Sequence, residues 1–257
     1  LNESILTFEQ PLQERIRLFL RCEALFERFR CSHLAARDID HHHALTLLVD
    51  LYAVISRVDI KRELMGELER QMANLLRLGA QPDVDPYRLQ MALDGQRRLL
   101  ERLGQQTGSL DQRVRDNEFF NSVRQRMALP GGACDFDLPI YHFWLSQPAP
   151  FREALLQEWF QPLTVVAEAI AQVLAFARAS GVARRMIAVD GYYEQSLDPS
   201  RAWQMLRVML PQGAHCYPEI SAGRQRFTIR FLQPADFSGR PSATTRDVAF
   251  MLSCCAI

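Results

Sequence analysis

What most constrains this chain is a change of hydrophobic period near residue 182. Before it, apolar residues recur at helical spacing; after it, they alternate, and one pattern cannot serve the other structure. Pro11–Arg30 gathers Leu12, Ile16, Phe19, Leu20 and Phe26 near one face, behind a proline suited to a first turn. Ala44–Val58 reads as a buried helix. Asp59–Leu78 aligns Ile60, Leu64, Leu68, Met72 and Leu75 and stops at Gly79, while Asp85-Pro86 opens a helix predicted to stop at Gly104. The pattern predicts further helices over about Leu110–Ala128, over Asp137–Leu145 with Asp137 as its cap, and over Pro148–Ser180, whole or divided near Pro162.

Beyond Gly181 the spacing predicts strands at Met186–Tyr193, Met205–Leu210, Arg226–Leu232 and Val248–Ser253, punctuated by proline and glycine. The clearest is Arg226–Leu232, where Phe227, Ile229 and Phe231 oppose Arg226, Thr228 and Arg230. The fold class is α+β: an antiparallel helical bundle over 1–182, then a small antiparallel β domain over 183–257.

Charge narrows the partners. The 30 basic and 30 acidic residues cancel, which argues against a nucleic-acid partner. Lys61 is the single lysine, so cationic sites here are arginine sites, suited to bidentate recognition of carboxylates. Nine arginines outnumber six acids in 183–257, making that segment mildly cationic. The apolar run Leu163–Ala177 is interrupted by Glu168 and Gln172, so no membrane partner is expected. Leu1–Gln10 does not read as a signal peptide, and six cysteines without a C-x-x-C pair read as reduced, cytoplasmic usage.

Motifs for phosphate loops, dinucleotides and nucleophile elbows are absent from the sequence. His41-His42-His43 cannot all face one ion on a helix and read as a solvated helix start, so no metal or other cofactor is expected. Cys134, Asp135, Asp137 and His142 carry the vocabulary of a cysteine enzyme; the plainer reading is a buried thiol beside capping aspartates. Glu9/Glu14 and Glu63/Glu67 read as solvated ion-pairing residues on exposed helix faces. What remains is arginine: Arg15, Arg17 and Arg21 on the first helix, with Arg17 and Arg21 one turn apart, and Arg224, Arg226 and Arg230 around the best strand. These faces suit an acidic peptide better than a reaction.

The chain also carries Phe8-Glu9-Gln10-Pro11-Leu12-Gln13-Glu14-Arg15-Ile16-Arg17, Arg62-Glu63-Leu64, Pro130-Gly131-Gly132, Phe136-Asp137-Leu138-Pro139 and His142-Phe143-Trp144-Leu145. Gly191-Tyr192-Tyr193, Tyr217-Pro218-Glu219-Ile220-Ser221, Arg226-Phe227-Thr228-Ile229-Arg230-Phe231 and the Cys254-Cys255 ending follow in order. In this order and spacing they resemble the ZapD family of FtsZ-associated cell-division proteins over nearly the whole length. The resemblance implies a non-enzymatic cytoplasmic homodimer with central helices and β-rich wings. It also implies binding to the C-terminal tail of FtsZ and bundling of FtsZ filaments at the midcell Z ring. It implies partner-binding roles for Arg21, His142, Arg226 and Arg230. Where some members carry an arginine this chain has Glu118, and Arg115, three residues earlier, is the implied substitute, with Arg17 beside Arg21.

Overall fold

The structure, a computed structural model, describes residues 5–33, 37–79, 81–82, 84–106, 108, 110, 112–223, 225–234 and 238–257. The α+β class holds: helices fill the N-terminal part and antiparallel sheets the C-terminal part. Two compact units form, one from residues 19–173 and one from 1–18 with 174–257. This differs from a boundary at 182, because Ile5–Pro11 is not helical. It is strand β1, paired antiparallel with β4 (Trp203–Pro211) from Ile5↔Pro211 to Pro11↔Met205.

The 19–173 unit holds most of α1 (Glu14–His33), then α2 (Asp38–Ile55), α3 (Ile60–Leu78), α4 (Pro86–Gln105), α5 (Gln112–Arg115), α6 (Glu118–Met127), α7 (Pro139–Leu145), α8 (Ala149–Phe160) and the start of α9 (Thr164–Ala179). The side chains of Asp59 and Asp85 cap α3 and α4 as the sequence predicts. Gly104, read as a stop, lies inside α4. The predicted helix over Leu110–Ala128 divides, because the Asn117 side chain accepts the Phe120 N–H and restarts the chain as α6. Pro148–Ser180 divides at a 3-10 turn over Gln161–Leu163. The run Ala149–Ala179 is long and apolar enough to cross a bilayer, but Leu156, Leu163, Val166, Ile170 and Val173 are buried in the protein, as in a core helix.

Aromatic side chains fill the centre of this unit. Phe29 stacks on Phe160 at 4.6 Å, and Phe119 stacks on Trp159 at 5.5 Å. Two buried glutamines are linked: the Gln96 amide donates to Gln71, which donates to the Val173 carbonyl, both at 3.1 Å. Glu67 corrects the sequence reading. It is fully buried rather than solvated, and its Oε2 accepts from Arg70 Nη2 at 2.6 Å and Nε at 3.0 Å.

The second unit is a sandwich. One sheet has the order β1-β4-β8-β2, with β8 at Val248–Ala256 and β2 at Arg184–Ala188. The other has β3 (Tyr192–Ser196), β6 (Arg226–Gln233) and β5 (Tyr217–Ala222), with β7 (Ser242–Ala243) also on β6. Leu206, Val208, Leu210, Val248, Phe250 and Leu252 from the first sheet meet Phe227, Ile229 and Phe231 from the second. The chain changes sheets at Asp190-Gly191, both with positive φ, at +49° and +71°. A β-carbon on Gly191 would lie 2.5 Å from the Thr244 methyl, so glycine is required there. The predicted strand Met186–Tyr193 is therefore two strands.

On the outer face of the first sheet, Glu9 accepts from Arg178 Nε at 2.9 Å and Nη2 at 2.8 Å, and from Arg207 Nε at 2.9 Å. Glu9 thus lies in a strand, not on a helix face, and is largely buried. Burial raises its carboxyl pKa, but the hydrogen bonds and charges of Arg178 and Arg207 outweigh it and hold the pKa below the ordinary glutamate value. A lowered folded-state pKa gives stability that is complete above about pH 4.3 and is lost as pH falls through the folded value. Glu9→Ala should cost roughly 3 kcal/mol in urea unfolding at pH 7, since it leaves two arginines facing each other. The deficit should shrink in acid, where the wild type loses the same contribution.

Candidate functional site

The arginine faces are built as the sequence suggests, but their acidic neighbours were not visible in it. On β6, Arg226 and Arg230 share the exposed face while Phe227, Ile229 and Phe231 fill the core. Pairing places Ser196 beside Arg226, Glu194 beside Thr228, and Tyr192 and Glu219 on either side of Arg230. Glu194 Oε1 lies 3.4 Å from Arg226 Nη1, and Tyr192 donates its hydroxyl to Glu194 Oε2 at 2.7 Å. The face is therefore of mixed charge and not simply cationic: two glutamates from the flanking strands match its two arginines. Arg224 lies outside the described residues.

On α1, Arg17 is half-exposed and paired with Glu14 at 3.1 Å, so part of its charge is spent within its own helix turn. Arg21, one turn on, is exposed and has no ion pair among the described residues. His142 is exposed on α7, between buried Tyr141 and exposed Phe143. Trp144 on the same helix is buried against Phe119 of α6, ring centroids 5.9 Å apart, which brings the helix carrying Glu118 to the helix carrying His142.

Glu118 is exposed in the first turn of α6. Arg115 ends α5, so the chain breaks between the two and their separation is not a helical spacing. Arg115 instead lines a cavity of about 390 Å³ with Arg57, Asp59 and Lys61. Arg57 and Lys61 carry no periodic signal in the sequence and were missed. Arg21, Arg115 and His142 belong to the 19–173 unit, and Arg17, Arg226 and Arg230 to the other.

The histidine and cysteine readings also change. His41 is buried rather than solvated: its Nδ1 accepts from Arg152 Nε at 2.9 Å, and Arg152, itself buried, pairs with Asp38 at 2.6 Å. Of the three consecutive histidines, His43 is exposed, while His42 is partly buried and bonded to the Tyr141 hydroxyl. Cys134 is exposed, not buried, and Asp137 pairs with Arg126 at 3.6 Å instead of capping α7, whose N-cap position is Leu138. The cavity that Cys134 lines is shared with His42, Thr46 and Met127, and not with His142.

The geometry defines a class first: a two-unit α+β protein whose candidate residues are arginines and a histidine on exposed helix and strand faces. Comparison with known proteins then gives the family. The family model for the cell division protein ZapD matches residues 20–230. A protein named "Cell division protein ZapD", from Azoarcus sp. (strain BH72), is 36% identical over 253 residues, covering 98% of this chain and all of that protein. The chain belongs to the ZapD family, and its role is in cell division.

His41 supplies a pH test. Burial first, and then the Arg152 charge, lower its pKa, so the fold holds it neutral. Asp38, Glu153 and the His33 backbone act in the opposite direction. Stability from His41 is complete above the unfolded pKa of about 6.5 and is lost as pH falls through the lower folded value. Melting temperatures should therefore drop as pH falls below about 6.5. His41→Gln should flatten that part of the profile.

Proposed function

We propose that this chain is a non-enzymatic, cytoplasmic division factor that acts at midcell as a homodimer. It binds the C-terminal tail of FtsZ and cross-links FtsZ filaments to support the Z ring. The observation that carries this reading is family membership over nearly the full length. The exposed Arg21, in no ion pair among the described residues, is consistent with it, because an acidic peptide needs cations not already neutralised; Arg230 is also exposed but shares its face with Glu219.

Bundling follows from symmetry and repetition. Two tail sites related by a two-fold axis grip two filaments, and a polymer presents a tail on every subunit. Weak single contacts then suffice, because each bound tail raises the effective concentration of the next. The chemistry needed is recognition alone. The exposed ion pairs near these arginines contribute little to stability, so their residues can exchange partners at small energetic expense.

Arg21→Glu and Arg230→Glu should each weaken binding of an FtsZ tail peptide about tenfold, equivalent to ~1.4 kcal/mol. Binding should also fade as salt shortens the Debye length from about 10 Å at 0.1 M to 3 Å at 1 M. Wild-type affinity in both variants, with no salt effect, would refute the electrostatic site. In sedimentation equilibrium the species should weigh twice the 29.6 kDa chain, and a monomer at every micromolar concentration would refute the dimer. Binding of the FtsZ tail peptide should be indifferent to EDTA.

A further inference from the structure

Strand β2 ends its sheet: it pairs with β8 on one side, and no strand lies on its other side among the described residues. An unpaired edge offers a row of backbone N–H and C=O groups to any extended chain, and proteins normally blunt such edges. This edge is weakly protected. It has no proline and no bulge, and Val182, Ile187 and Val189 are 74%, 57% and 61% exposed. The bridge between Val189 and Tyr192 closes its C-terminal end, leaving Arg184–Ala188 open.

The charges on this edge are distinctive. Arg184 and Arg185 are adjacent and exposed, and neither has an ion pair among the described residues. Their cross-strand neighbours are Leu252 and Met251, so no acid on β8 compensates them. Arg226 and Arg230, by contrast, have Glu194 and Glu219 on the adjoining strands. Arg185 and Ile187 also lie on the outer face of the sheet, in line with Met251 and Ala249 of β8 and, beyond Met251, Met209 of β4. An incoming strand would set one side chain beside Arg185 and the next on that face beside Ile187.

We propose that the open edge of β2 binds an extended peptide with two adjacent acidic residues and an apolar residue two positions from the nearer of them, which adds to the sheet as a further strand. Acidic residues lie beside Arg184 and Arg185, and an apolar residue lies beside Ile187. A second copy of β2 fits less well: Arg184–Ala188 contains no acid, so self-pairing would give none of the four arginines a counter-charge. The inference rests on the proposed function, since its peptide is the FtsZ tail, and it assigns that tail a backbone-pairing site.

The test is amide hydrogen exchange of the wild-type protein, alone and saturated with the FtsZ tail peptide. The outward-facing amides of Arg184–Ala188 should exchange about tenfold more slowly in the complex. A tail peptide N-methylated at alternate residues should bind at least tenfold more weakly in one of the two methylation registers. Arg184→Glu/Arg185→Glu, checked for folding by circular dichroism, should also bind about tenfold more weakly. Tight binding with β2 exchange unchanged would overturn this inference and leave the proposed function standing. Absence of any binding would overturn both. Concentration-dependent protection of β2 without peptide would assign the edge to a second copy and overturn the peptide site.

Discussion

One carboxylate organises the β unit. Glu9 stands on the N-terminal strand and is held by Arg207 of the neighbouring strand and by Arg178 at the end of α9. An edge strand of seven residues would gain little from its ladder alone. Charge-assisted bonds on a side chain shielded from water add directional strength at the middle of that strand. They also set the register: a slip of one residue would carry Glu9 to the opposite face, among the apolar side chains of the sandwich. Buried Met205 and Cys255 lie on the same outer face, along the rows defined by that register. Close by, Gly181 lies so near Ser253 and Cys255 that a β-carbon there would collide with both.

The elements legible in the sequence are those specified locally. Helix α3 has an apolar stripe and a capping Asp59, and β6 alternates cleanly between arginine or threonine and large apolar residues. The missed strands depend on distant partners. Ile5–Pro11 has a recognisable strand role only once residues 205–211 lie alongside it. Tyr217–Ala222 contains Pro218, which reads as punctuation but is tolerated in an edge strand. The division between α5 and α6 turned on Asn117, a cap hidden inside an otherwise helical pattern.

The candidate site was legible as a set of arginines but not as an electrostatic surface. Sequence shows charges along one strand, whereas the field depends on neighbours across the ladder. Glu194 and Glu219, each distant in sequence, temper Arg226 and Arg230. Arg184 and Arg185 looked like an unremarkable pair until the sheet placed Leu252 and Met251 beside them. The same limit explains Glu67 and His41, polar residues that periodicity assigns to solvent and that the fold buries against Arg70 and Arg152.

The division into units bears on the order in which the chain can acquire its structure. Residues 19–173 are continuous, so that unit has all its partners as soon as its own last helix leaves the ribosome. The other unit is split: β1 is synthesised before the helical unit, and the strand it pairs with begins at Trp203. For most of translation Ile5–Pro11 has no ladder to join. Closing so long a loop slows assembly much more than it weakens the finished sheet. The nascent chain therefore carries an unpaired strand throughout synthesis of the helical unit, exposed to whatever meets the chain before residues 205–211 arrive.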